Sequence, residues 1–238
     1  STILNCYNVL RKKEKRLTST TKLSIKISIF LVIIGMVAMF ILEYSNKSTI
    51  GNLSFGQKLE ASFFQSVTTR TAGFNTISIL GLKRSTSLLF VILMFIGASP
   101  GSTGGGIKTT TFGILIFYAL GVLKRREYVE VFKRRIDWEL INKALAIVVI
   151  SVFYIIVVTT VILSVESFTT DKVIYEVISA FSTTGLSMGI TAGLGIISKL
   201  LIVITMFIGR LGPMTVALAF TNNKKSLIKY PKEDILIG

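Results

Sequence analysis

The chain has 238 residues, of which 51% are hydrophobic and only 16% are charged, and its formal net charge is +15. A soluble domain usually carries about 25% charged residues, so the composition indicates a membrane protein. Histidine is absent and Cys6 is the single cysteine, which excludes histidine-based catalysis, histidine metal ligands and an internal disulfide.

The first residues, STILNCYNVLRKKEK, resemble the end of an earlier helix that runs into a basic cytoplasmic linker over residues 1–22. No initiator methionine and no signal peptide are present, so we expect a fragment or the C-terminal half of a longer chain. Lys and Arg cluster in residues 11–26, in a second linker at 124–136 and its flank, and in a tail at 221–238. By the positive-inside rule these segments, and both termini, are cytoplasmic.

A nucleic-acid surface would interleave basic residues with exposed aromatic residues. Here the basic clusters border hydrophobic segments, so we expect no nucleic-acid partner and a membrane lipid environment. The apolar segments are residues 27–42, 85–107, 144–165 and 200–220, and a bilayer core of about 30 Å needs about 20 such residues in a helix. Four membrane spans are therefore predicted.

Two parts of the chain repeat each other. VILMFIG at 91–97 recurs as VITMFIG at 203–209, and Thr71-Ala72-Gly73 recurs as Thr183-Thr184-Gly185 at the same offset of 112 positions. Two motifs that keep one spacing indicate a duplicated unit. We place the first unit at residues 23–123 and the second at 137–220, each with two spans.

A short, polar stretch lies between the two spans of each unit, at residues 59–69 and 173–182. Stretches of this length indicate re-entrant half-helices. The Thr-Gly motif follows each one, and irregular backbone at membrane depth must line a cavity or be buried by protein. Carbonyl and threonine oxygens suit a dehydrated alkali cation, so Gly73 and Gly185 are predicted to belong to an ion filter. The alternative is that both are turn glycines in buried loops.

The second span of the first unit contains ASPGSTGGG at 98–106, which predicts a broken helix and an ion or substrate pathway. Three soluble motifs compete for this loop. A nucleophile elbow around Ser99 lacks a histidine, and Pro100 lacks an oxyanion-hole N–H. A P-loop is disfavoured because Ile107 separates the last glycine from Lys108, and a dinucleotide fold needs a strand-helix-strand unit.

Arg210 lies at the centre of the 200–220 segment, where a charge is costly and should face a polar cavity. We predict that it contributes a fixed positive charge below the filter, which eases exit of the ion. The alternatives are an ion pair with Glu176 or contacts with carbonyl groups of the glycine loop. Arg70, beside Thr71, is expected to anchor the outer loop.

TTRTAGFNT at 68–76, GASPGSTGGGIKTTT at 97–111, SAFSTTGLS at 179–187 and GRLGPMT at 209–215 resemble motifs of the Trk/Ktr/HKT superfamily of cation transporters. The similarity covers nearly the whole chain and is greatest to the bacterial Ktr-type potassium-transporting membrane subunit. It implies an all-α membrane protein with four membrane-pore-membrane repeats around one potassium-channel-like pore, of which this chain holds the third and fourth.

The resemblance also implies roles for individual residues. The filter would comprise Thr71, Ala72, Gly73 and Phe74 in one repeat and Thr183, Thr184, Gly185 and Leu186 in the other. The intramembrane gating loop would comprise Ala98, Ser99, Pro100, Gly101, Ser102, Thr103, Gly104, Gly105 and Gly106, and Arg210 would be the pore arginine.

The implied activity is potassium uptake across the bacterial plasma membrane, with sodium as a possible coupling ion, no cofactor in this chain and no enzymatic reaction. The implied partners are the N-terminal half of the same transporter, a second full-length subunit in a homodimer, and a cytosolic ring of nucleotide-binding subunits. Two repeats cannot enclose an ion, because the family uses four. The alternative is a non-conducting scaffold or regulatory subunit for another pore, and a membrane enzyme using Ser99 ranks third.

Overall fold

The computed structural model describes residues 2–11, 17–126, 128–132, 134–213 and 215, and these residues are mostly α-helical. The helices are α1 (Thr2–Leu10), α2 (Ser19–Glu43), α3 (Phe55–Thr68), α4 (Arg84–Phe95), α5 (Thr109–Leu123), α6 (Trp138–Val165), α7 (Thr170–Phe181) and α8 (Ile196–Leu211). The predicted helical class is confirmed, with one addition. The 124–136 linker contains a short antiparallel hairpin, β1 (Glu130–Val131) and β2 (Arg134–Arg135).

Among the described residues, two helices are long and apolar enough to cross a bilayer without interruption. They are α2, with 25 residues, and α6, with 28 residues. The predicted span at 85–107 is interrupted, because α4 ends at Phe95 and α5 begins at Thr109. The predicted boundary between residues 22 and 23 falls inside α2, and the predicted tail at 221–238 lies outside the described residues.

The main core surrounds α7. Residues 175–181 of this helix are all buried, and they pack against α4, α6 and α8. The ring of Phe181 stacks on Phe95 with centroids 6.3 Å apart. On the other side of the molecule α3 packs against α2, where a Cβ atom on Gly35 would lie 2.3 Å from Ser66 Oγ. The two short helices are therefore each packed against a long helix, α3 against α2 and α7 against α6.

The order of elements recurs along the chain. A 3-10 helix at Ile79–Gly81 precedes α4, and a 3-10 helix at Thr191–Gly193 precedes α8. The starts of the two 3-10 helices, and the starts of α4 and α8, differ by the same 112 positions as the sequence repeat. The repeated sequence thus forms the same local structure twice.

A carboxylate from α2 holds the start of α4. Glu43 is fully buried, and its Oε1 accepts hydrogen bonds from the N–H group of Lys83, at 3.0 Å, and from the hydroxyl of Thr86. Asn46 and Thr49 donate to its other oxygen at 2.5 and 2.7 Å. Since the first N–H groups of a helix lack partners and carry partial positive charge, Glu43 acts as a cap supplied by a different helix.

The second half of the chain uses the same arrangement. Glu166, directly after α6, accepts hydrogen bonds from the N–H group of Gly195 and the hydroxyl of Ser198, each at 2.7 Å. These donors occupy the positions of Lys83 and Thr86 in the first repeat. The hydroxyl of Ser198 and then the N–H group of Gly195 lower the pKa of the half-buried Glu166 carboxyl.

Replacing Glu43 should destabilise the protein, because Glu43→Ala leaves the buried Thr86 hydroxyl and the Lys83 N–H group unpaired. Each buried group left without a partner costs about 1–3 kcal/mol, so thermal unfolding in detergent should begin several degrees lower. Glu60→Ala is the matched control, since Glu60 is an exposed carboxylate of α3. Equal midpoints for the two variants would contradict the capping role.

Candidate functional site

Both predicted filter segments have an unusual backbone. Thr71 and Gly73 have φ of +68° and +77°, and Thr183 and Gly185 have φ of +54° and +92°. Residues 72 and 184 between them have negative φ. A left-handed threonine is a rare and strained conformation for a β-branched residue. Its occurrence at equivalent positions in both repeats marks these segments as special.

The alternating sign of φ orients the peptide groups of each segment. The N–H groups of Ala72 and Gly73 donate to the carbonyl of Thr68 at 3.2 and 3.3 Å, and the N–H group of Thr184 donates to the carbonyl of Ser179 at 2.9 Å. Alternation of right- and left-handed residues brings successive N–H groups to one side of the backbone. These N–H groups are thus paired with carbonyl groups of α3 and α7, the helices that precede the two segments.

The two segments lie side by side. A Cβ atom on Gly73 would lie 2.2 Å from the carbonyl oxygen of Thr184, and one on Gly185 would lie 3.7 Å from the Cα atom of Gly73. The structure therefore brings the two sequence-predicted threonine-glycine motifs together. Their last residues differ, since Phe74 is 71% exposed whereas Leu186 is buried in the main core at 3%.

The predicted loop at 98–106 closes on itself. Ile96 and Ile107 form a parallel bridge, and the N–H group of Thr109 donates to the carbonyl of Ala98 at 3.2 Å. A Cβ atom on Gly97 would lie 2.0 Å from the carbonyl oxygen of Gly105. The loop therefore leaves and re-enters the helical path at nearly the same point.

Side chains from neighbouring helices hold this loop. The hydroxyl of Ser24 donates to Ser99 Oγ at 2.7 Å, and Lys108 Nζ donates to the carbonyl of Gly104 at 2.5 Å. The middle of the loop, at Gly101, Ser102 and Thr103, is exposed. Ser99 is thus a hydrogen-bonded loop residue, and the described residues contain no histidine that could activate it.

Two contacts join the loop to the filter segments. Arg70, directly before Thr71, donates to the carbonyls of Ile96 at 2.7 Å and Gly97 at 2.9 Å. At the other end of the loop, the N–H group of Gly105 donates to Thr183 Oγ1 at 2.8 Å. A cavity of about 430 Å³ lies between Arg70, Thr71 and loop residues 98–102.

The expectation that Arg70 anchors the outer loop is wrong. Its guanidinium instead binds the carbonyl groups that the end of α4 leaves free. Sequence reasoning missed this contact, although one signal was available. A charged side chain beside a membrane-depth loop needs buried acceptors, and the break after Phe95 provides them.

Arg210 lies near the end of a helix rather than at the centre of one. It occupies the last turn of α8, which ends at Leu211 because Gly212 has φ of +91°, and its side chain is exposed. Arg210 lies near enough to Lys108 for their like charges to repel. Within the described part of the chain the single ion pair joins Lys143 and Glu139, so the predicted alternative of an Arg210 pair with Glu176 is wrong.

Comparison with known proteins identifies the family. The family model described as "TrkH: Cation transport protein" matches residues 17–229. The chain belongs to the TrkH family of cation transport proteins. The TrkH family consists of transporters and not of enzymes, which agrees with the sequence prediction, and the chain is accordingly a membrane protein.

Individual relatives in the TrkH family match the chain closely. Ktr system potassium uptake protein B of Vibrio alginolyticus is 38% identical, covering 92% of this chain and 48% of the relative. The protein of the same name from Bacillus subtilis is 37% identical, covering 98% of this chain and 52% of the relative. Potassium/sodium uptake protein NtpJ of Enterococcus hirae is 35% identical, and the match covers 95% of this chain and 51% of the relative. The chain spans about half the length of these relatives.

A solved structure supports the TrkH fold. The crystal structure of the potassium transporter TrkH from Vibrio parahaemolyticus superposes with a TM-score of 0.72 at 19% sequence identity. The match covers 84% of this chain and 44% of that chain. The likeness concerns the fold, and here too about half of the larger protein is represented.

Removing the Arg70 guanidinium should loosen the loop. Arg70→Gln cannot satisfy the carbonyls of both Ile96 and Gly97, and a lost charge-assisted hydrogen bond costs about 1–3 kcal/mol. Amide hydrogen exchange over residues 96–107 should therefore become about tenfold faster. Arg84→Gln, an exposed arginine of α4, is the control. Unchanged exchange in Arg70→Gln would contradict the anchoring role.

Proposed function

We propose that the chain forms half of a potassium uptake pore, with two membrane-pore-membrane repeats that supply two of four filter segments. The observation that carries this proposal is the pair of adjacent segments with alternating φ at Thr71 and Gly73 and at Thr183 and Gly185. Backbone carbonyls held in rows replace the water shell of an alkali cation without the trapping effect of a full negative charge.

The short helices support a re-entrant arrangement. α3 has 14 residues and α7 has 12, so at 1.5 Å per residue each is about 20 Å long, less than the bilayer core of about 30 Å. Each helix ends within three residues of its filter threonine. The C-terminal end of a helix carries partial negative charge, and both helices would therefore stabilise a cation at the filter.

The named relatives support potassium as the transported ion, because two are potassium uptake proteins and one is a potassium/sodium uptake protein. Sodium is the second candidate ion. Glycine at 73 and 185 fits a backbone filter, in which Ala72, Phe74, Thr184 and Leu186 complete the two segments. The remaining two segments would come from the N-terminal half of the full transporter.

In this proposal the loop at 98–106 is the gate and Arg210 is a fixed charge below the filter. The loop is hydrogen-bonded to both filter segments through Arg70 and Thr183, so movement of the loop is coupled to the filter. Arg210 lies close to Lys108, the residue that follows the loop. In this proposal the two cations add positive potential on the side of the filter where the loop lies. This positive potential would make the energy well that holds a cation at the filter shallower, which eases exit of the ion.

The proposed location is the bacterial plasma membrane, with the basic segments 1–22, 124–136 and 221–238 in the cytoplasm. These basic segments provide a charged surface for a cytosolic nucleotide-binding ring, and full-length subunits would pair as homodimers. The repeats at 23–123 and 137–220 would then be the membrane part.

Replacing the filter glycines should impair transport to different degrees. Gly73→Ser places a Cβ atom 2.2 Å from the Thr184 carbonyl oxygen and should abolish rubidium uptake. Gly185→Ser meets no atom closer than 3.7 Å but must adopt φ of +92°, which costs an L-residue about 1–2 kcal/mol. It should reduce uptake or potassium selectivity.

The measurement is rubidium and sodium uptake into vesicles that contain the complete transporter. Gly56→Ser is the control, because a Cβ atom there meets nothing within 4 Å. Unchanged flux and selectivity in Gly185→Ser would falsify the filter assignment and would favour a non-conducting scaffold role.

Shortening the loop should raise flux. Gly97 and Gly106 lie against each other, with a Cβ atom on Gly106 only 3.3 Å from the Gly97 Cα atom, so excision of residues 99–104 needs little movement of α4 and α5. If the loop obstructs the pore, rubidium influx should increase several-fold. A folded deletion variant, verified by its thermal midpoint, with unchanged influx would contradict the gate.

A further inference from the structure

Glu176 is a buried carboxylate that the proposed pore leaves without a role. It lies in the middle of α7 with 6% of its surface exposed. Its Oε2 accepts a hydrogen bond from Ser187 Oγ at 2.8 Å, and its Oε1 accepts one from Thr191 Oγ1. Both oxygens act as acceptors, as they do in an ionised carboxylate.

The negative charge of Glu176 has no cationic partner among the described residues, where the ion pair present is the distant Lys143–Glu139 pair. Burying a charge without compensation is expensive, and proteins offset this cost with a paired charge or a bound ion. Two hydroxyl groups stabilise a carboxylate but do not neutralise it. A mobile cation would do so.

A cavity of about 300 Å³ opens beside this carboxylate. Its polar lining combines the carboxylate with hydroxyl groups and with filter backbone, contributed by Glu176, Ser179, Thr183, Gly185, Ser187 and Thr191. Carboxylate, hydroxyl and carbonyl oxygens are ligands for hard cations. The described residues hold no group of three or more acidic, histidine or cysteine side chains, so a single charge with neutral oxygens suits a monovalent rather than a divalent ion.

The arrangement belongs to the second repeat alone. The position equivalent to Glu176 in the first repeat, 112 residues earlier, is Phe64, whose side chain is 39% exposed. Both repeats have the filter backbone with positive φ, but only the second has this carboxylate. The filter backbone of the first repeat is therefore formed without a carboxylate at this position. Glu176 therefore has a function separate from building the filter.

We propose that Glu176, Ser187 and Thr191 form a binding site for a hard monovalent cation, sodium or potassium, in the cavity beside the second filter segment. The site is lateral to the row of filter carbonyls and shares a wall with it through Thr183 and Gly185. A cation here neutralises the buried carboxylate. A cation bound by Ser187 would also stabilise the backbone that follows the filter, because Ser187 Oγ accepts a hydrogen bond from the Gly189 N–H group at 2.9 Å.

The experiment measures binding of radioactive sodium, and separately of rubidium, to the complete purified transporter at constant ionic strength with choline chloride. The variants are Glu176→Gln, which keeps the shape and removes the charge, and Glu176→Asp, which keeps the charge. Glu166→Gln is the matched control, because that carboxylate also binds a hydroxyl and an N–H group but is only half-buried.

Glu176→Gln should weaken one saturable binding component at least about tenfold, since loss of a charged ligand removes a charge-assisted contact. Glu176→Asp and Glu166→Gln should retain it. The thermal midpoint of Glu176→Gln in choline chloride verifies that the variant is folded, and Ser187→Ala provides a second, weaker perturbation of the same site. The ion with the lower half-saturating concentration identifies the preferred occupant.

Equal binding by the wild type and a folded Glu176→Gln would overturn the proposal, and so would equal losses in Glu176→Gln and Glu166→Gln. A purely structural Glu176 would lower the thermal midpoint without changing ion binding. The result does not depend on transport, so it is distinguishable from failure of the pore proposal. If the pore proposal failed, Gly185→Ser would leave rubidium flux unchanged, whether or not Glu176 binds a cation.

Discussion

The structure depends on giving hydrogen-bond partners to backbone groups in segments that are not helical. In a membrane an unpaired N–H or carbonyl group is costly, and this chain has irregular backbone both at the two filter segments and at the break after α4. Arg70 binds the carbonyls of Ile96 and Gly97, and Thr183 accepts the N–H group of Gly105. The backbone groups at the break after α4 are thus paired with side chains in or directly beside the filter segments. Because these contacts join the two irregular regions, movement of one region affects the other.

The two repeats share a scaffold and differ in what surrounds it. Both begin their second helix with a cap supplied by a carboxylate from the first, Glu43 or Glu166, and both carry left-handed threonines. Among the described residues, the long break between Phe95 and Thr109 belongs to the first repeat. In the second, α8 continues through Gly209, where a Cβ atom would lie 1.8 Å from the Phe181 carbonyl. The repetition carries the proposed filter segments into both copies, whereas the loop occurs in one copy and Glu176 in the other.

Charge is distributed unevenly around the filter segments. The charge of Arg70 is stabilised by two carbonyl groups, whereas Arg210 is exposed and close to Lys108. Glu176, by contrast, is buried with hydroxyl partners alone. Fields from such groups are strong where water is scarce. In the proposed pore, the balance between the buried anion Glu176 and the cations Lys108 and Arg210 would influence which ions bind at the filter.

The sequence by itself determined the helical class, the membrane character, the duplication at an offset of 112 and the broken helix at residues 98–106. These features follow from local properties, namely hydropathy, repeated motifs and the inability of glycine and proline to continue a helix. It could not determine the partners of single polar side chains. Arg70 binds the α4 break rather than the outer loop, Arg210 ends a helix rather than lying at its centre, and Glu176 binds Ser187 and Thr191. Tertiary structure decided these contacts, since each joins groups whose proximity depends on how separate helices pack.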